Sequence, residues 1–179
     1  MASWFTLKAS LSPSRLKIFN VTLGAFKIAN AAFAFHLFYE YVGQPAIMYG
    51  PSMLPTLAVS GEVVIEDCIS VRLNPEKLHR GELIILKSPL DPQRTICKRI
   101  IGLPGDTVCV DPTGRLAPST EHVLVPKGHI WISGDNAAES RDSRLYGPVP
   151  IALVHGRLYA RVWPWKDFTV FRNATTFLE

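Results

Sequence analysis

RTICKRIIGLPGDTVCV, Arg94 to Val110, consists of two apolar, β-branched runs joined by Gly102-Leu103-Pro104-Gly105. Proline fixes its own φ and glycine accepts positive φ, so the stretch reads as two strands folded about this tetrapeptide turn. The same texture recurs on both sides. GEVVIED (Gly61 to Asp67) and GELIILKSP (Gly81 to Pro89) each open with a glycine and a carboxylate before an apolar run. HIWISGDN (His129 to Asn136) and ALVHGRLYARVWPW (Ala152 to Trp165) supply further strands, while DPTGRLAPSTEH (Asp111 to His122) reads as loop. Short apolar runs broken by turn residues predict a mostly β body.

The first 42 residues differ from the rest. Ile18 to Val42 is strongly apolar and predicts one transmembrane anchor, with Lys27 snorkelling near one end and Tyr39 and Tyr41 at the other interface. Residues 1–17 are Ser-rich, basic and free of acids, in the manner of a mitochondrial presequence. The expected organisation is therefore 1–17 basic segment, 18–42 anchor and 43–179 β domain. The net charge of +4 comes from Lys8, Arg15, Lys17 and Lys27, all before the first acid, Glu40. The chain after Lys27 holds 15 basic and 15 acidic residues, a neutral body that argues against nucleic-acid binding. Positive charge before the span places the N-terminus on the matrix or cytoplasmic side and the body on the other. Cys68, Cys97 and Cys109 show no CxxC and no metal-ligand spacing. They read as small buried hydrophobes, with one disulfide among them left open.

Two stretches carry chemistry. In YGPSMLPTL (Tyr49 to Leu57) two prolines flank Ser52 and exclude a helix. Gly50 and Leu54, each before a proline, are expected in extended or polyproline geometry. A serine held on such a bend is displayed as a nucleophile. In the strand Ile96 to Ile101, alternation puts Lys98 between Ile96 and Ile100 on one face and leaves Arg99 for solvent. Burial beside isoleucines lowers a lysine pKa and yields a neutral amine. Ser52 and Lys98 together form a nucleophile and a base of the Ser-Lys kind.

A third stretch, GDNAAESRDSRLYGPVP (Gly134 to Pro150), completes a pattern. YGPSMLPTL, CKRIIGLPGD and this stretch, in that order, resemble the sequence boxes of the type I signal peptidases. KSPLDPQRTICKRIIGLPGD and the closing WPWKDF make the resemblance closest to the mitochondrial inner membrane peptidases of the subunit 1 type. It covers about residues 39 to 168.

The resemblance implies a signal-peptidase-like β-sheet domain behind one membrane helix. By it, Ser52 is the nucleophile and Lys98 the general base. Ser140 hydrogen-bonds and orients the lysine, Asp142 and Arg144 hold the framework, and Met53 and Pro55 shape the nucleophile turn. Gly50 stands where some bacterial members carry a serine that donates to the oxyanion, leaving that task to backbone N–H groups that include Ser52's. Only 27 residues separate Asp106 from Gly134, so the second β domain of larger bacterial members is essentially missing. No metal or other cofactor is implied. The implied substrates are precursor proteins with cleavable targeting segments, sorted to the mitochondrial intermembrane space. The implied setting is the inner membrane with the catalytic domain facing that space, beside a related second peptidase subunit. There the sequons at Asn20 and Asn173 stay unused.

Competing readings are a Ser-His-Asp hydrolase using Ser52 or Ser143 with His155 and Asp142, and a self-cleaving repressor. The first lacks a G-x-S-x-G elbow and the second a DNA-binding module. A catalytically silent, membrane-tethered β module is the alternative from outside the enzymes.

Overall fold

The computed structural model describes residues 12–171, which fall into two units dividing between Tyr41 and Val42. Of the basic segment only residues 12–17 are included. Lys8 and the sequon at Asn173 lie outside the described residues.

The first unit is one helix, α1, Pro13–Leu37, which continues as a π-helical turn over Phe38–Val42. Pro13 takes the first helical position, where a missing N–H costs nothing. No residue of α1 is buried, and Ile18, Phe26, Ile28, Phe33 and Phe35 are all exposed. Thr22 satisfies its hydroxyl on the Ile18 and Phe19 carbonyls, at 3.1 and 2.9 Å, as a hydroxyl in an apolar helix must. The 30 residues Pro13–Val42 are long and apolar enough to cross a membrane. Because the helix starts before Ile18, Lys27 sits near its middle rather than toward an end.

The second unit is built on an antiparallel sheet. Its strands are β1 (Gly43–Met48), β2 (Glu62–Asp67), β3 (Leu83–Lys87), β4 (Thr95–Gly102), β7 (His129–Ser133), β8 (Val149–Pro150) and β9 (Val154–Trp163). They lie in the order β1-β2-β9-β3-β4-β7-β8, and β10 (Thr169–Val170) also pairs with β9. The ten-residue β9 crosses the sheet centre, pairing with both β2 and β3. A separate hairpin joins β5 (Thr107–Cys109) to β6 (His122–Leu124). Two short helices, α2 (Ile69–Leu73) and α3 (Ser143–Tyr146), cap connections.

Both faces of the sheet centre are covered. Ile84 and Leu86 join Ile100, Ile130 and Ile132 in one apolar cluster, while Leu83 and Ile85 join Met53, Leu57 and Val64 in another. Hence β3 reads as an unbroken Leu-Ile-Ile-Leu run rather than an alternation. The loop after β5 is organised by Asp111, whose carboxylate accepts from the N–H groups of Thr113, Arg115 and Leu116. The three cysteines form no disulfide. Cys97 is buried, and burial pushes its thiol up to about 12, so it stays protonated.

Candidate active site

Ser52 sits in a single 3-10 turn, Pro51–Met53. The sequence reading excluded any helix here. The turn nevertheless forms because Pro51 occupies its first position, where proline is tolerated. Leu54 is extended (φ −64°, ψ 143°), as its proline neighbour dictates. Gly50 departs from the expected geometry: at φ +107° and ψ 157° it occupies a region open in practice to glycine alone. Its N–H donates to the Val59 carbonyl at 2.7 Å, closing the loop behind the serine. Met53 is buried in the core and pins the turn from below.

β4 brings Lys98 to the same point. Lys98 Nζ donates to Ser52 Oγ at 2.8 Å, and the lysine is 3 % exposed. Burial pushes its pKa down from the ordinary 10.5, while Cys97 and Asp142 pull weakly the other way. Its neighbour Arg99 does not go to solvent. The Arg99 guanidinium makes a two-pronged pair with Asp135, Nε to Oδ1 at 2.7 Å and Nη2 to Oδ2 at 2.6 Å, and also donates to the Gly81 carbonyl. A partly buried carboxylate within reach outcompetes water for a planar fork of donors.

That carboxylate also ties down the Ser52 loop. Thr56 Oγ1 donates to Asp135 Oδ2 at 2.5 Å, and Asn136 donates to the carbonyls of Ser52 (N–H, 3.0 Å) and Pro51 (Nδ2, 3.2 Å). Asp135 and Asn136 thus connect the strand of the lysine to the turn of the serine. The sequence reading assigned no role to either, or to Thr56. The only available signal was the place of Asp135 and Asn136 in the GDN triplet and of Thr56 in YGPSMLPTL.

The wall behind the pair comes from residues 134–144. Asp142 is fully buried and accepts from Gly134 N–H at 2.9 Å and from Arg144 Nε and Nη2, both at 2.8 Å. Burial alone would raise the Asp142 carboxyl, but the Arg144 guanidinium, the nearby Ser140 hydroxyl and the Gly134 N–H outweigh it and hold the pKa down. Ser140 is buried in the same wall. The hydrogen bond from Ser140 to Lys98 implied by the resemblance is not drawn, and Ser140 Oγ makes no well-formed hydrogen bond. Gly134 is obligatory here, because a Cβ would meet Ser140 Oγ and lie 2.5 Å from the Ser52 carbonyl oxygen.

Ser52, Lys98, Gly50 and Met53 therefore converge, with Ser140, Asp142 and Arg144 behind them. His155 instead pairs with Glu66 at 2.6 Å, and Asp142 is committed to Arg144, so no Ser-His-Asp relay is assembled. Ser52 and Lys98 open into a cleft of about 930 Å³. One wall is β1, which ends the sheet and pairs only with β2. Its floor is apolar, with Met53, Leu57, Ile85 and Cys97. A hydroxyl against a buried amine in such a cleft can attack a carbonyl carbon of an extended chain.

Residues 21–117 and 112–163 match the family described as signal peptidase, peptidase S26. The chain belongs to that signal peptidase family. It is a signal-peptidase-type serine endopeptidase. Mitochondrial inner membrane protease subunit 1 of Xenopus tropicalis is 46% identical over 133 residues, covering 74% of this chain and 77% of the relative. The corresponding subunit 1 of Schizosaccharomyces pombe is 42% identical over 147 residues, covering 82% and 88%. Subunit 2 of the Saccharomyces cerevisiae protease is 37% identical over 119 residues, covering 64% and 65%. This signal peptidase is thus related to both kinds of subunit of the mitochondrial inner membrane proteases.

Proposed function

We propose that this signal peptidase removes targeting segments from precursor proteins by a Ser-Lys mechanism, at the outer face of the mitochondrial inner membrane. The observation that carries the reading is the 2.8 Å contact between Ser52 Oγ and the buried Lys98 Nζ. In the neutral form the amine offers a lone pair, and the Ser52 hydroxyl donates into it. Oγ attacks the scissile carbonyl carbon as the proton passes to Nζ. Backbone N–H groups, Ser52's among them, meet the developing oxyanion. As the tetrahedral intermediate collapses, the C–N bond breaks and Lys98 gives its proton to the leaving amine. A water then loses a proton to Lys98, attacks the acyl-serine ester and frees the new C-terminus.

Ser140 is the group that takes hold of the lysine when Ser52 is engaged with substrate. Its buried hydroxyl makes no well-formed hydrogen bond and lies in the adjoining wall. Asp142 and Arg144 keep that wall rigid. Substrate adds as a strand to the open edge of β1, with small side chains entering the apolar floor. The domains follow the same logic: 1–17 a basic segment, 18–42 the anchor, 43–179 the catalytic body. A span of about twenty residues ending at Tyr39 and Tyr41 leaves Lys27 a turn or two inside its start, within snorkelling reach of the headgroups. The basic N-terminus stays in the matrix, and the catalytic body faces the intermembrane space. The likeness to both subunit types supports pairing with a related second catalytic subunit.

Wild-type chain and the Ser52→Ala variant, incubated with mitochondrial precursor proteins, test the reading when new N-termini are identified by mass spectrometry. Wild type generates defined N-termini after the targeting segment and Ser52→Ala generates none. Equal processing by a folded Ser52→Ala chain would leave only the silent module.

A further inference from the structure

Apart from Ser52 and Lys98, three side chains of metal-binding type meet beside the cleft. Glu66 near the end of β2, Cys68 just after it and His155 near the start of β9 bring their ligand atoms within 4.8 Å of one another. His155 Nδ1 lies 2.6 Å from Glu66 Oε1 and 3.7 Å from Cys68 Sγ. Around a tetrahedral zinc ion, bond lengths of about 2.0–2.3 Å place ligand atoms about 3.3–3.6 Å apart. The sulfur-nitrogen distance of 3.7 Å lies just beyond that range, and the oxygen need only withdraw by less than an ångström. Glu66 and Cys68 are almost wholly buried, while His155 is 31 % exposed. Glu66 and His155 both line the cleft, so a fourth position opens toward it.

The backbone has made room for this cluster. A Cβ on Gly156 would stand 2.6 Å from Glu66 Cγ and 2.7 Å from Oε1, so glycine next to His155 is what admits the carboxylate. We propose that Glu66, Cys68 and His155 form a zinc site with an open fourth position facing the substrate cleft. Thiolate and imidazole favour zinc over magnesium or calcium, which take oxygen ligands. Binding takes His155 through Nδ1, the Glu66 carboxylate and the Cys68 sulfur, whose thiol proton is released to solvent. The site clamps the end of β2 to the start of β9. Its ligands are 87 to 89 positions apart across the two strands, which is why no local spacing announced it. It is independent of the Ser-Lys chemistry.

Cobalt(II), a spectroscopic substitute for zinc, tests this on the full-length chain in detergent. One equivalent should produce a thiolate-to-cobalt charge-transfer band that zinc abolishes. The band should persist in Cys97→Ser and Cys109→Ser and vanish in Cys68→Ser. His155→Gln, at a partly exposed position where the amide can still donate to Glu66, should weaken binding by about tenfold or more, and it carries the test if Cys68→Ser fails to fold. No band in the wild type, or a band of unchanged affinity in His155→Gln, overturns the proposal.

Discussion

Lys98 is the residue on which the proposed chemistry turns, and its environment makes quantitative demands. Burial lowers its folded pKa below the unfolded value, so protonating it works against the fold. Its contribution to stability therefore improves as pH climbs from the folded pKa toward 10.5. In the same sense, kcat/KM for peptide cleavage should rise with pH through an ionisation well below that of an ordinary lysine. Lys98→Arg removes the lone pair, because arginine stays charged. Turnover should fall by about 10²- to 10⁴-fold with the far-UV spectrum unchanged; a fall of less than tenfold would mean another base. Asp142 has the opposite sense. Its depressed pKa contributes stability above 3.8 that is lost as pH falls through the folded value. Arg144→Met strands a buried carboxylate and should cost about 3–5 kcal/mol in denaturant unfolding, less at low pH where Asp142 protonates. A pH-independent cost would contradict the pairing.

At the scale of elements, two glycines hold the Ser52 turn. Gly134→Ala forces a Cβ against the Ser52 carbonyl and the Ser140 hydroxyl. Overpacking of this kind costs about 1–3 kcal/mol, so Tm should drop while kcat falls far more than that loss explains. Activity like wild type would show that the 134–136 segment does not set the turn. Gly50→Ala meets open space but keeps a φ of +107°, a strain of about 1–3 kcal/mol. The strands with dense apolar runs, β2, β3, β4, β7 and β9, were legible because burial on one or both faces writes itself into composition. β1 was not, since GQPAIM carries a proline that only an edge strand accepts, and β8 and β10 are two residues each. Ser52 and Lys98 were legible from a rigid bend and a lysine between isoleucines. The Asp135 network was not. Its bonds join residues 36 and 79 positions apart, and nothing local distinguishes such an aspartate from a turn residue.

For the whole molecule, the proposed labour is divided between the neutral β body, for chemistry, and the exposed apolar α1, for location. An apolar helix with no buried residue, long enough to cross a membrane, suits lipid as its solvent. Alkaline extraction of mitochondria should therefore leave the full chain in the membrane pellet. Release into the supernatant would contradict an anchoring role for α1. Protease added to mitochondria with ruptured outer membranes should reach the body, and protection until the inner membrane is opened would reverse the proposed orientation.

The most direct measurement is a titration of Lys98 itself, following its ¹⁵Nζ resonance by NMR in the wild-type chain held in detergent micelles. The account predicts an amine that becomes neutral well before the exposed lysines do. Co-titration of Lys98 with those lysines would contradict it.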